Sequence, residues 1–370
     1  MNVPLTEFGA QIQAYTSRAW GDREAVHMIG ISRSLRAAQE KLSRFVKIDR
    51  PVLLTGESGV GKELFARSLY VLSSRYGQPF LSVNCAQYQN DDLLVSEIFG
   101  HTRGSFTGAI CDKSGLFEAA DGGILFLDEV GELTPRAQAM LLRTLGEGEI
   151  KPLGGTEVKK VNVRVVAATN RPLQRMIAER RFREDLYYRL RYLHVHIPPI
   201  RERENDWHLL VDYFLDKSDT SNGRAKQFSA SAWAVLESYK WPGNVREIQS
   251  VVDVGCCLAD GNTIGSDIIT ETLTEERTEK LNDSFESTGI IRMHYDLMIE
   301  EGEDFWSVVR EPFLDRELNR SQVRAIVQRG LADSQGSYKR MLDIFRIQQS
   351  DYLKFMDFLR HHRLKPDMRR

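Results

Sequence analysis

Apolar residues fall in short runs through the first half of the chain and at helical spacing through the second, and the change comes near Pro198-Pro199. Pro51 to Thr55, Phe80 to Val83, Ile124 to Leu127 and Val163 to Ala167 are apolar runs of strand length that alternate with helical patterns. Runs of this kind suit strands covered on both faces, so the pattern predicts an α/β domain with a buried parallel sheet. Thr134-Pro135 supplies an N-cap and a first-turn proline for a helix through Met140, Leu141 and Leu145. Beyond the two prolines strand signals stop, which predicts a smaller all-helical lobe over Ile200 to Leu273. Thr274 to Thr288 is polar and poor in apolar residues, as a solvated linker is. After it, Val323, Ile326, Val327 and Leu331, then Tyr352, Phe355, Met356 and Leu359, recur at helical spacing and predict a small all-α domain.

Length and composition agree with that division. At 370 residues, 42% apolar and 28% charged, the chain has material for two or three folded units. It carries no apolar stretch approaching the roughly eighteen residues of a membrane span, and a cytoplasmic location is expected. Cys85, Cys111, Cys256 and Cys257 lack paired metal-ligand spacing and read as small, partly buried thiols. The net charge of −2 argues against a uniformly basic nucleic-acid coat. The stretch from Ser337 is nevertheless basic, with Lys339, Arg340, Arg346, Lys354, Arg360, Arg363, Lys365, Arg369 and Arg370 against four aspartates.

The first strand runs into Gly56-Glu57-Ser58-Gly59-Val60-Gly61-Lys62-Glu63, and a helical pattern follows from Leu64. A glycine-rich turn between strand and helix lets backbone amides converge on phosphate oxygens, and the helix N-terminus favours negative charge. Lys62 can then contact the β- and γ-phosphates of ATP. Glu63 stands where Ser or Thr would ordinarily ligate Mg²⁺. Alone, such a turn can be merely a tight connection. The strand Ile124 to Leu127, ending in Asp128 and Glu129, supplies the other half of a nucleotide site. Asp128 can hold magnesium through water, and Glu129 can orient or deprotonate the attacking water. Thr169 and Asn170, at the end of another apolar strand, can sense the γ-phosphate, although an Asn there is also a common turn former.

With these pieces in place, the sequence from about Ile29 to Ile269 resembles the central domain of sigma-54-dependent transcription activators. The resemblance rests on Gly56 to Glu63, Val83 to Ala86, Ser96 to His101, Gly104-Ser105-Phe106-Thr107-Gly108-Ala109, Gly122 to Glu129, Phe182 to Leu190 and Trp241 to Glu247. It implies an AAA+ P-loop NTPase with a parallel sheet and an α-helical lid, followed by a small all-α C-terminal domain. It also implies the organisation: a short lead over 1–24, an ATPase subdomain over 25–199, a lid over 200–273, a linker over 274–289 and a helical domain over 290–370. The family commonly carries Glu at the position of Glu63, which leaves magnesium to the phosphates and Asp128.

By the same resemblance, Gly104 to Ala109 forms a loop tip that engages sigma-54 through Phe106 and Thr107, with Ser105 in place of the family's alanine. A tight turn with Phe106 tucked into the core is the plainer reading of those residues. Asn84 is implied to restrain Glu129 until the γ-phosphate is in place. Arg183 and Arg189 are implied to reach a neighbouring subunit's ATP, and Arg246 the nucleotide of its own chain. Fingers that act across a boundary imply a homo-oligomeric ring, a hexamer.

Fewer than about thirty residues precede the resemblance, too few for an independent sensor domain, so control by a separate trans-acting protein, by expression level or by the C-terminal region is expected. Residues 336–360 align with the Fis-like helix-turn-helix that commonly ends these activators. There Ile347 takes the apolar turn position, and Gln348, Gln349, Ser350 and Lys354 can face bases or phosphates of upstream DNA. Met341 and Leu342 replace two alanines, and Arg346 replaces the turn glycine, so a basic helical interaction module is the alternative. Ile290 to Leu318, with Phe305, Trp306 and Phe313, reads only as helical packing or dimerisation. The function implied is ATP-driven remodelling of RNA polymerase carrying sigma-54. The rivals are a DNA-bound regulator of the same lineage without sigma-54 contact, and a generic AAA+ protein-remodelling ATPase.

Overall fold

The computed structural model describes residues 4–21, 25–88, 90–222, 226–274, 294–314, 318, 320–334, 337–362 and 364. The chain divides into two compact units, Met1–Ile269 and Thr270–Arg370. Most of the expected linker, 275–289, lies outside the described residues, as do Gly336, Arg363, Lys365 and 366–370.

The first unit is built on a five-stranded parallel sheet of β1 (Val52–Thr55), β2 (Phe80–Asn84), β3 (Ile124–Asp128), β6 (Arg164–Thr169) and β7 (Leu193–His196). The spatial order is β2-β3-β6-β1-β7, with register pairs such as Leu54↔Ala168 and Asn84↔Asp128. Successive residues point to opposite faces, and both faces are dry. Leu53, Leu125, Leu127, Val165 and Ala167 face one core, while Val52, Leu54, Ile124, Phe126, Val166 and Ala168 face the other. The second core is closed by α1 (Glu7–Trp20), α2 (Arg33–Phe45) and α3 (Lys62–Leu72). The first is closed by α4 (Asp91–Phe99), α5 (Leu116–Ala119), α6 (Pro135–Glu147), α7 (Leu173–Ala178) and α8 (Glu184–Leu190). A small antiparallel pair, β4 (Glu149–Ile150) with β5 (Lys159–Lys160), lies outside the main sheet.

Each expected strand is present, and helix α6 starts as predicted: the Thr134 hydroxyl accepts from Ala137 N–H, with Pro135 in the first turn. Strand β7 was not anticipated. Its Leu193-His194-Val195-His196 alternates apolar and polar residues as an edge strand does, and so lacks the continuous run that marked the others. The lead residues 1–24 contain a docked helix, with Ile12 fully buried and the Thr16 hydroxyl accepting from Val26 N–H.

The lid consists of α9 (Asp206–Asn222), α10 (Ala230–Ser238), α11 (Asn244–Leu258) and a final helix over 266–274, α12. Helices α9 and α11 pack through Leu210, Val211, Phe214, Ile248, Val251 and Val252. The lobe is not wholly helical as expected: β8 (Gln227–Phe228) pairs in parallel with β9 (Thr263–Ile264) and ties the connections on either side of α10 and α11. Two residues per strand are too few to leave a pattern in the sequence.

The second unit holds α13 (Glu311–Leu314), α14 (Arg320–Asp333), α15 (Tyr338–Ile344) and α16 (Tyr352–His361), preceded by π-helical turns at Leu297–Glu301 and Trp306–Arg310. Its core joins Phe305, Val323, Ile326, Val327, Met341, Leu342, Phe345, Phe355 and Leu359.

Candidate functional site: a phosphate loop under a lid

The loop from Gly56 to Gly61 leaves the interior strand β1, between β6 and β7, at its C-terminal end, the end of open parallel sheets where ligands bind. Gly59 and Gly61 take left-handed φ of +77° and +97°, which turns backbone N–H groups toward one point with no side chain between them. A Cβ on Gly59 would fall on the Gly243 carbonyl of the lid. Lys62, 7% exposed, opens α3; its ammonium lies 3.2 Å from the carbonyls of Gly56 and Glu57 and 3.5 Å from Glu129 Oε1.

Strand β3 delivers Asp128 and Glu129 to the same mouth. Asp128 Oδ1 accepts from Glu129 N–H at 2.9 Å, and burial together with the neighbouring Glu129 charge raises the Asp128 pKa above the ordinary carboxylate range. Glu129 sits at φ +49°, a conformation that non-glycine residues adopt at a cost of about 1–2 kcal/mol and that clusters at functional sites. Its Oε2 accepts from Asn170 N–H at 3.1 Å. A buried ammonium, convergent amides and two carboxylates are the donor set that a magnesium nucleotide takes: cation and amides for phosphate, hard oxygens for Mg²⁺. Glu63 points away, paired with Arg67 at 2.8 Å.

Other expected residues divide. Asn84 lies beside Asp128 in the sheet, yet its side-chain oxygen accepts from Ala86 N–H, so the restraint of Glu129 here comes from Asn170 and Lys62 instead. The Thr169 hydroxyl is buried and accepts from Arg171 N–H, which makes Asn170 the exposed member of that pair. Arg246 reaches the loop of its own chain, donating to Ser58 Oγ at 3.2 Å. Arg183, the N-cap of α8, and Arg189, in its last turn, stay exposed: Arg183 forms a two-point pair with Asp185, and Arg189 donates to the carbonyls of Leu145 and Gly146.

In the loop Gly104 to Ala109, the Gly104 N–H donates to the Ala109 carbonyl at 2.8 Å and Thr107 and Gly108 form the exposed tip. Phe106 is half-buried, packed edge-on against His101 with centroids 5.1 Å apart, because an isolated chain covers a large apolar ring where it can. His101 is itself bonded to Ser96 at 2.6 Å.

Several functional contacts were invisible in the sequence. Asn244 is fully buried at φ +56°; its amide donates to Ser58 O at 3.0 Å and its oxygen accepts from Ile200 N–H at 2.8 Å. The next residue, Val245, donates its N–H to Gly59 O. Arg203, 3% exposed, donates to Val60 O and Pro198 O, and burial lowers its pKa to about 10. Arg201 clasps Glu57 in two bonds of 2.8 and 2.6 Å. Gln138 of α6 accepts from Arg183 N–H and so fixes where that arginine starts. The Trp-Pro-Gly-Asn run and the Arg-Glu-Arg run were the only hints, and neither says which loop it meets.

Cys85 lies beside the acids, and burial with the charges of Asp128 and Glu129 pushes its thiol up to about 12. Cys111 and Cys257 are exposed, whereas Cys256 is buried like Cys85. In the native chain at neutral pH, a disulfide-exchange reagent is expected to label Cys111 and Cys257 quickly and the other two only on unfolding. Fast labelling of Cys85, located by peptide mapping, would contradict this burial.

In the second unit, α15 ends as a Schellman turn: Ile347 N–H donates to Leu342 O at 2.9 Å, and Arg346 takes the left-handed φ of +52° that glycine usually supplies. Met341 and Leu342 are buried in the core, while Gln348, Gln349, Ser350 and Lys354 are exposed on the turn and the start of α16.

A parallel sheet with a phosphate loop at the end of an interior strand, paired acids at the end of a strand one removed from it and a helical lid over the loop define a P-loop ATPase of the AAA+ class. Residues 28–196 match the Sigma-54 interaction domain, and residues 201–284 match the AAA+ ATPase lid domain. The Nif-specific regulatory protein of Azotobacter vinelandii is 42% identical over 254 residues, 69% of this chain and 48% of that protein. The nitric oxide reductase transcription regulator NorR2 of Cupriavidus necator is 48% identical over 245 residues, 66% of this chain and 47% of that protein. The crystal structure of NtrX from Brucella abortus in complex with ADP superposes with a TM-score of 0.62 at 27% identity, covering 95% of this chain and 72% of that one. The region 28–284 belongs to the sigma-54 interaction family of AAA+ ATPases. The chain spans about half the length of the curated relatives it matches.

Proposed function

We propose that the chain is a bacterial, cytoplasmic transcription activator that couples ATP hydrolysis to remodelling of RNA polymerase carrying sigma-54, tethered to upstream DNA by its C-terminal unit. The observation that carries this reading is the meeting of Lys62 and Glu129, 3.5 Å apart beneath the lid, in a domain of the sigma-54 interaction family. Lys62 and the loop amides hold the β- and γ-phosphates, and Glu129 takes the proton of the attacking water. Asp128 would hold magnesium, and the bound ion would supply charge neutralisation on the phosphates. Arg246 reads the nucleotide within its own chain. Arg183 and Arg189, exposed at the two ends of α8, face the triphosphate of a neighbouring copy in a hexameric ring, where a cation stabilises charge in transfer. Both are already held by local acceptors, so assembly needs only a change of partner at the protein surface.

The loop tip Thr107-Gly108, with Phe106 released from His101, is the sigma-54 contact. The ADP and ATP complexes known for NtrX support nucleotide binding at the equivalent fold. Thr107→Ala is expected to leave ATPase activity within about twofold of the parent, since Thr107 is an exposed loop residue. Open-complex formation should be lost in transcription with sigma-54 polymerase, ATP and supercoiled template. Promoter opening at the parental level would remove the loop from the mechanism and favour a remodelling ATPase with another target. Control by a separate protein belongs to the same proposal.

A further inference from the structure

Trp306 lies in the segment that the family matches leave uncovered, at the start of the π-helical turn Trp306–Arg310. Two cations sit over its indole: Lys354 Nζ, 4.4 Å from the ring centroid, and Arg310 Cζ, 5.8 Å from it. The ring packs against Phe305, Phe355 and Phe358, at centroid distances of 5.8, 6.5 and 6.4 Å and all close to edge-on. The backbone is fixed as well, because Asp304 Oδ1 accepts from Trp306 N–H at 2.7 Å and Phe305 N–H donates to Phe345 O at 3.0 Å.

Lys354 comes from α16 and Arg310 from the π-helical turn, so one aromatic plate gathers cations from two separate segments. Among the described residues neither cation has a carboxylate partner, and Lys354 is exposed. Two like charges gathered this way repel one another; the electron-rich indole face offsets part of that repulsion and limits the positions each cation visits. Their positive charge is left for an external anion. Gln349 and Ser350 lie exposed in the turn that leads into α16, which places polar groups able to reach base edges a few residues before Lys354.

We infer that Trp306 is a positioning residue that holds Lys354 and Arg310 as a two-cation clamp for the sugar-phosphate backbone of double-stranded DNA. The clamp rests on the DNA-binding reading of the second unit and gives the segment before α13 a role within it. Phosphate contacts set register and strength without reading sequence, so a mixed-sequence duplex is a sufficient probe.

The experiment titrates a fluorescent mixed-sequence duplex with the full chain across a series of salt concentrations, for the parent and for Trp306→Leu, Trp306→Phe, Lys354→Ala and Arg310→Ala. Lys354→Ala and Arg310→Ala are each expected to lower the slope of log affinity against log salt by about one. Trp306→Leu should weaken binding about two- to fivefold and flatten the slope, whereas Trp306→Phe, which keeps an aromatic face, should retain the parental slope. A purely structural role for Trp306 would lower thermal stability and leave the slope of the folded fraction unchanged. Parental slopes in Trp306→Leu, or in both cation variants, would overturn the clamp while DNA binding by the parent stands. Absence of salt-dependent binding by the parent would overturn the DNA reading itself, and the clamp with it.

Discussion

Glu129→Gln is expected to bind ATP as the parent does and to hydrolyse it about a hundred- to ten-thousandfold more slowly. The substitution keeps the shape of the side chain and keeps an oxygen to accept from Asn170 N–H, so the mouth of the site should hold its geometry. What it removes is the basic oxygen and the charge facing Lys62. The backbone strain at φ +49° is shared by both residues and does not confuse the comparison. Steady-state phosphate release, measured beside fluorescent-nucleotide binding, separates the two effects. Hydrolysis at the parental rate would take Glu129 out of the reaction.

Lys62→Ala should act one step earlier and reduce nucleotide affinity by about a hundredfold or more, the scale of losing a charge-assisted contact to phosphate. The effect extends beyond the missing contact. Asp128 is already raised by burial and by the Glu129 charge, and Lys62 is the cation that opposes both acids. Without it, a polyanion must approach two carboxylates. Equal nucleotide affinity in Lys62→Ala and the parent, measured by equilibrium titration, would mean that this loop does not cradle phosphate.

The parts of the site legible in the sequence are those made by neighbours along the chain. Gly56 to Lys62 and Asp128-Glu129 each lie at a strand end, and a strand followed by a glycine-rich turn announces both the backbone geometry and the chemistry. The Thr134-Pro135 helix start is equally local. Contacts between segments far apart were not legible. Arg203 to Val60, Asn244 to Ser58 and Arg201 to Glu57 each join residues more than a hundred positions apart, and no local period records such pairing. Asn84 stands at the register the resemblance implies, while the contact its side-chain oxygen makes, accepting from Ala86 N–H, was not legible. The C-terminal helix pair shows the opposite: Arg346 departs from the expected glycine, and the backbone still makes the left-handed turn. That geometry asks of arginine about 1–2 kcal/mol, and the buried Ile347 and Phe345 beside it are what the unit offers in return.

Gly59 of the phosphate loop lies bare against the Gly243 carbonyl of the lid, with no side chain between them. A Cβ at position 59 would overlap that carbonyl, so loop and lid touch backbone to backbone at this point. A shift of the loop on taking up phosphate would therefore reach the lid directly, with no flexible side chain to absorb it.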